Sequence, residues 1–196
     1  MLKVILMMYV TLLPVIISGI ANMAWCKSSL LNSTKLPIDN GKNFFDGRRV
    51  FGDNKTWKGM IGYFLFNMIF AIVWGIICNT TGLEKLDFFY IDHKNTLSFN
   101  IIVGILLGLA YSLFELPNSF IKRRLDITPG KTINGVYKAF FVFLDQADSI
   151  FGCVLVVWLF YDLGLFLYFI YVFIGAATHI VLNMLLYFTG LRKNMF

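Results

Sequence analysis

Charge is what this sequence has least of. Of its 196 residues 14% are Asp, Glu, Lys or Arg, eleven acidic against seventeen basic, and it holds four Pro, three Cys and two His. Soluble domains carry roughly 25% charged residues. A chain that is 58% hydrophobic, with 21 Phe, has too little polar surface to cover itself in water, so a soluble globule is excluded. Disorder and a coiled coil are excluded by the same composition. Cys26, Cys78 and Cys153 lie in or beside apolar runs with no C-x-x-C pair, which excludes a disulfide framework and reads them as small hydrophobes. What remains is an integral membrane protein, with a mean hydropathy of +0.73. Its net charge of +6 reports orientation and anionic headgroups rather than nucleic acid.

A membrane crossing needs about 20 mostly apolar residues. The runs predict five helices, over residues 4–25, 59–78, 97–116, 138–161 and 165–188. The first contains Pro14, which helices in membranes tolerate. It is too long for a signal-peptide core, and Met-Ala-Trp-Cys before Lys27 is a poor cleavage site. The third is expected to stop at Pro117. The run from Val136 to Phe188 is too long for one crossing and is divided at its only turn signal, Asp162-Leu163-Gly164. The expected fold class is therefore all-α: a bundle of five transmembrane helices in one domain over residues 1–196, with long loops at about 26–58 and 117–137.

Basic residues test the count. Fourteen fall on one side in this arrangement: seven in the first long loop, five from Lys122 to Lys138, and Arg192 and Lys193 in the tail. Three, Lys3, Lys85 and Lys94, fall on the other. The positive-inside rule then puts the N-terminus outside, and the C-terminus and both long loops in the cytoplasm. Gly104 and Gly108 form a G-x-x-x-G read as close helix packing.

The first loop, Pro37 to Gly59, mixes acids, bases and four glycines over 23 residues. Glycines let backbone approach phosphate oxygens, bases neutralise phosphate and carboxylates hold a hydrated metal. A solvated, positive-inside loop with turns at Asp46-Gly47 and Gly52-Asp53 is the other reading, and both stand at this point. The second segment carries Asn118, Ser119 and the run Lys122-Arg123-Arg124, a phosphate site or a topology anchor. Its Gly130-Lys131-Thr132 is no P-loop, because Leu125 stands where the first glycine is required and no strand precedes it.

Asp145 and Asp148 stand at i and i+3 on one face of the fourth helix. Gly152, one turn on, is expected to keep that face open. From Asp145 to Tyr161 is roughly 24 Å of helix at 1.5 Å per residue, so the pair sits at the hydrocarbon boundary, where a carboxylate needs a cation or a basic partner. A metal site is the favoured reading, a structural ion pair the other. Glu115 closes the third helix on the same side and is placed to join. His179 reads as a packing residue, Asp162 as a turn residue, His93 as part of the outer loop, and the N-x-[ST] patterns at Asn32, Asn54 and Asn79 as chance.

Asp39-x-Gly41, Asp46-Gly47-Arg48-Arg49, Gly52 and Lys55-Thr56-x-x-Gly59 resemble the first signature of the CDP-archaeol synthases. Asn118-Ser119-x-x-Lys122-Arg123-Arg124, Pro129-Gly130 and Leu144-Asp145-Gln146-x-Asp148 resemble the second, and the order of segments agrees over essentially the whole chain. The wider CDP-diacylglycerol synthases share Ser119-x-x-Lys122-Arg123 and the paired aspartates, but their longer Lys-Asp and His-Gly-Gly stretch is absent here. The resemblance implies a Mg²⁺-dependent cytidylyltransferase in phospholipid synthesis, joining CTP to a lipid phosphate with release of pyrophosphate. It implies Asp145, Asp148, Lys122 and Arg123 as catalytic and Asp145, Asp148 and Asp46 as metal ligands. Asp39, Asp46, Gly47, Arg48, Arg49, Gly52, Lys55, Thr56, Asn118, Ser119, Arg124 and Gly130 are implied at the substrates. The nearest branch implies 2,3-bis-O-geranylgeranyl-sn-glycerol 1-phosphate; phosphatidate, giving CDP-diacylglycerol, is the alternative. A CDP-alcohol phosphotransferase fits poorly, since its Asp-Gly-x-x-Ala-Arg element would need Ala and Arg where Val50 and Phe51 stand. A lipid-binding scaffold or small transporter would leave the charged loops without a purpose. The sequence leaves the oligomeric state open.

Overall fold

The computed structural model describes residues 2–129, 131 and 135–190. Gly130, Thr132, Arg192 and Lys193 lie outside the described residues. Among these residues six α-helices follow in order: α1 (Leu2–Lys27), α2 (Trp57–Thr81), α3 (Phe88–Ile91), α4 (Leu97–Arg124), α5 (Lys138–Phe160) and α6 (Gly164–Phe188). All but α3, a single turn, are long and apolar enough to cross a membrane, so the protein is a multi-pass membrane protein with five candidate spans. Among the described residues there is no strand, only isolated bridges at Pro37–Thr56 and Asn43–Arg49.

Local chemistry sets the boundaries. Thr56 caps α2 by accepting from the Gly59 amide at 3.2 Å, and Thr96 caps α4 by accepting from Phe99 at 3.2 Å. Between α5 and α6 the predicted turn is present, with Asp162 accepting from the Gly164 amide at 3.1 Å. Pro14 sits inside α1, as expected, and the carbonyl of that residue accepts from Ser18 Oγ at 2.6 Å.

One boundary differs from the sequence reading. α4 does not stop at Pro117 but runs two further turns to Arg124. Proline removes one amide donor and crowds the carbonyl four residues back, and burial of Asn118, Ser119, Lys122 and Arg123 against the rest of the molecule outweighs that cost. The second polar segment is thus largely helix, and its basic run is held on a rigid axis.

The helices pack in the order α1, α2, α4, α5, α6. Gly104 and Gly108 bring α4 onto the α2 backbone: a Cβ on Gly104 would stand 2.5 Å from Met68 Cα, and one on Gly108 2.7 Å from Phe64 Cα. Gly152 does not keep a face open. A Cβ there would lie 2.6 Å from the Ala110 carbonyl, because α5 crosses α4 at that point. α6 returns to α1 through the Tyr171 hydroxyl, which donates to the Met8 carbonyl at 2.6 Å, and through the Tyr9 and Thr178 hydroxyls, 3.0 Å apart. Beyond those bonds the two helices leave a wedge between them.

Candidate active site

The long loop between α1 and α2 is organised around Asp39. Its buried carboxylate accepts from the amides of Gly41 (3.1 Å), Phe51 (2.9 Å) and Gly52 (3.2 Å) and from the Arg49 guanidinium at 2.7 Å. Burial opposes ionisation, but Arg49 and the three amides outweigh it and hold the carboxyl well below the usual range. Gly52 has φ +117°, a conformation open to glycine, and a Cβ there would press on Pro129 at 3.0 Å. Ser119 on α4 donates to the Phe51 carbonyl at 3.0 Å, so this part of the loop rests on α4.

A second tie closes over the end of α4. Arg124 donates to Asp46 at 2.7 and 3.1 Å and to the carbonyls of Arg48 (3.2 Å) and Arg49 (2.9 Å), while its guanidinium lies 4.0 Å from the Phe120 ring centre. Arg48 answers with an ion pair to Asp126 at 2.8 Å and a bond to the Arg124 carbonyl. Gly47 provides the turn that closes Asp46 onto the Arg48 amide at 3.0 Å. Asp46, Gly47, Arg48, Arg49 and Arg124 are therefore brought together as a latch, and the Asp46 carboxylate is occupied by Arg124. The structure does not bring Asp46 to Asp145 and Asp148.

The predicted aspartates do meet partners from α4. Lys122 Nζ donates to both Asp145 oxygens, at 2.7 and 3.0 Å. Asn118 Nδ2 donates to Asp145 and to Asp148, at 2.8 Å each. Asn118 Oδ1 is buried with no partner among the described residues, an orphan acceptor beside two carboxylates. Arg123, one residue along, is buried with its Nε unpartnered and makes no ion pair among the described residues, although Arg49, Arg124 and Asp53 surround it. A buried cation without a counter-ion is costly unless an anion reaches it.

Lys55 pairs with Glu115, which the sequence reading had placed near the site without a partner. Burial works against the ammonium, but Glu115, Asp148 and Asp145 raise its pKa above the ordinary lysine value. Lys55 and Glu115 stand at the polar end of a cavity of about 440 Å³ that continues between α1 and α6, past Gly19 and Met23 on one side and Leu182 on the other, to Met8 and Tyr171. Thr56 lines the same polar end, though its hydroxyl also serves as the α2 cap.

Sequence reasoning missed this wedge, because it is defined by helices at opposite ends of the chain. It also missed Lys58, which is fully buried and donates to the Ser28 carbonyl at 2.7 Å, beneath the start of the loop. Gly130 of the predicted set lies outside the described residues. His179, read as packing, has Nδ1 3.1 Å from the Gln146 carbonyl, between the two aspartates in sequence.

Comparison with known proteins bears on the family and the fold. The family model described as CarS-like, CDP-archaeol synthase, matches residues 1–196. A CDP-archaeol synthase of Methanococcus aeolicus is 33% identical over 164 residues, 80% of each chain. One of Methanocaldococcus jannaschii is 36% identical over 118 residues, 59% of this chain and 58% of that protein. A solved structure described as an intramembrane enzyme for archaeal membrane lipid biosynthesis superposes with a TM-score of 0.59 at 22% identity, over 90% of this chain and 92% of the other.

Proposed function

Because this chain belongs to the CDP-archaeol synthase family, cytidylyltransferases of archaeal lipid synthesis, we propose that it transfers the cytidylyl group of CTP to a lipid phosphate at the boundary of the membrane. A lipid phosphate oxygen attacks the α-phosphorus of CTP, the bond from that phosphorus to the bridging oxygen breaks, and pyrophosphate leaves in line. The nucleophile is already ionised, so the reaction needs positioning and charge neutralisation rather than a protein base.

The single observation that carries this reading is the buried guanidinium of Arg123, whose Nε has no partner and which makes no ion pair among the described residues, one residue from a Lys122 that holds Asp145. Arg123 is assigned to the triphosphate, where a bidentate guanidinium binds phosphate oxygens strongly. Lys122 holds Asp145 in place and adds positive charge beside the leaving pyrophosphate. Lys55 and Thr56, at the polar end of the wedge, receive the lipid phosphate, and the apolar walls between α1 and α6 take its tails.

The family implies a divalent cation, and the residues fit one. Asp145, Asp148 and the unpartnered Asn118 Oδ1 offer oxygens on adjoining turns of two helices. No three His, Cys, Asp or Glu form a metal-binding group among the described residues, which suits Mg²⁺, an ion usually held by one or two carboxylates together with substrate phosphates. Bound there, it would neutralise charge on the nucleotide phosphates. Asp46 and Asp39 act instead by fixing the loop that covers the site.

The distribution of basic residues, fourteen against three, supports a cytoplasmic site and C-terminus with the N-terminus outside. CTP is cytosolic and the lipid phosphate lies in the leaflet, so the two substrates meet there. The family favours the geranylgeranyl ether lipid; phosphatidate is the alternative, since the apolar walls accept either tail. The test is pyrophosphate release by the purified protein in detergent with Mg²⁺ and CTP, supplied with each lipid in parallel. Turnover on the ether lipid that falls at least tenfold in Arg123→Met supports the assignment. Turnover on neither lipid, from folded protein that binds both substrates, overturns it.

A further inference from the structure

Phe45 is the most exposed large apolar side chain in the first loop, at 100% of its accessible surface, yet it is held rigidly. The turn that presents it is closed by the Gly47 amide donating to the Phe44 carbonyl at 3.0 Å and the Phe44 amide donating to the Arg48 carbonyl at 2.7 Å. Arg124 ties Asp46 of the same turn to the end of α4, and the Phe44 ring packs edge-on against Phe120, centres 5.1 Å apart. The Phe45 ring stands edge-on to that Phe44 ring, centres 5.0 Å apart, and is otherwise open to the surroundings.

Its surroundings say what it meets. α4 has 28 residues, roughly 42 Å at 1.5 Å each. That exceeds a hydrocarbon core of about 30 Å and reaches through the headgroup layer of a bilayer. The exposed apolar surface of α4 does not end with the core: Leu113 and Phe114 are followed by Ile121 (46% exposed) and, just past the helix, Leu125 (48%), and Phe44 packs on the same end of the helix at Phe120 and Arg124. The exposed cation Lys42 flanks the turn on one side, as expected of a segment lying among lipid phosphates, and Arg48, paired with Asp126, flanks it on the other.

We infer that the Phe44-Phe45 turn is a membrane-surface anchor, inserting Phe45 between the headgroups of the leaflet that borders the site. It continues the lipid-facing surface of α4 onto the loop. It thereby fixes the depth of the loop that Asp39 and the Asp46–Arg124 latch organise. This inference does not depend on the reaction proposed above.

The test is a nitroxide label on Phe45→Cys, in a Cys26→Ser background because Cys78 and Cys153 are buried, with the full chain in lipid nanodiscs. A label on Ile69→Cys, on the exposed face of α2, is the lipid-facing reference. Collision with oxygen exceeding collision with a water-soluble nickel chelate, by less than at position 69 because the label lies at headgroup depth, is the expected result. Dominant collision with the nickel chelate would put Phe45 in water and overturn the inference. Protection from both reagents would show another protein surface, such as a second copy, on the turn and would overturn it equally.

Discussion

Asn118 is the side chain on which the paired aspartates depend, and its removal is the sharpest perturbation available. Its Nδ2 donates to Asp145 and Asp148 at 2.8 Å each, and its Oδ1 is a buried acceptor with no partner among the described residues. Hydrogen bonds to charged groups contribute about 1.5–3 kcal/mol each. Asn118→Ala loses both donors, but Lys122 still holds Asp145, so the loss at the site is set near the worth of the single bond to Asp148. At about 1.4 kcal/mol per tenfold, that lowers kcat/KM for CTP by roughly 10- to 100-fold. The substitution also removes an oxygen from the proposed cation site, so the Mg²⁺ concentration for half-maximal rate rises. Asn118→Asp, which adds a charged oxygen, lowers that midpoint even if it slows turnover. The assay is pyrophosphate release across a CTP titration at fixed Mg²⁺ for kcat/KM, and across a Mg²⁺ titration with CTP saturating for the midpoint. A Mg²⁺ midpoint unmoved in both variants, with kcat/KM within threefold of the wild type, would refute the reasoning.

Three further outcomes follow from the packing and the charges. Gly104→Leu forces a side chain into the α2 backbone, where even a Cβ would stand 2.5 Å from Met68 Cα; overpacking costs about 1–3 kcal/mol, read as a lowered Tm in detergent, and an unchanged Tm would count against the α2–α4 contact. Asp39 is held ionised by Arg49 and three amides, with a folded pKa below the unfolded one, so its contribution is full above about pH 4 and is lost only as pH falls through the lower folded value. Limited proteolysis should accordingly find the wild-type loop protected at pH 4 and the loop of Asp39→Asn cut at pH 7; equal cutting at pH 7 would remove Asp39 from its organising role. Asp87, before α3, behaves oppositely: burial raises its pKa to about 6, although the Phe89 amide at 3.0 Å and Trp74 Nε1 at 3.1 Å favour the charged form. Its stabilising effect is full below about pH 4 and lost as pH rises through 6, so Asp87→Asn should gain roughly 3 kcal/mol over the wild type between pH 4 and pH 8, seen as diverging Tm values. Parallel Tm profiles would contradict it.

The five spans were legible because hydropathy over about 20 residues is a strong signal. The turn at Asp162-Leu163-Gly164 was legible because nothing else in that run interrupts it. Pro117 misled, since the rule that proline ends a helix is local and the burial of Asn118, Ser119, Lys122 and Arg123 that carries α4 onward is not. Gly152 misled in the same way: a small residue leaves space or admits a neighbour, and only the position of Ala110 decides which. Asp145 and Asp148 were readable from i, i+3 spacing. The pairing of Lys55 with Glu115, 60 residues apart, and of Asp46 with Arg124, 78 apart, has no signature in local spacing. The family resemblance therefore grouped Asp46 with the other aspartates, while the fold gives it to a guanidinium.

Cytidylyl transfer itself is tested most directly by following phosphorus. The protein in nanodiscs is given Mg²⁺, the geranylgeranyl ether lipid phosphate, and CTP labelled in separate reactions at the α- or the γ-phosphorus, beside Asp148→Asn. The proposed reaction puts the α label into the lipid product and the γ label into free pyrophosphate, with both transfers lost in the variant. A γ label found in the lipid would mean phosphoryl transfer, and no label in the lipid would mean no transferase; either contradicts the site assigned to Asp145, Asp148 and Arg123.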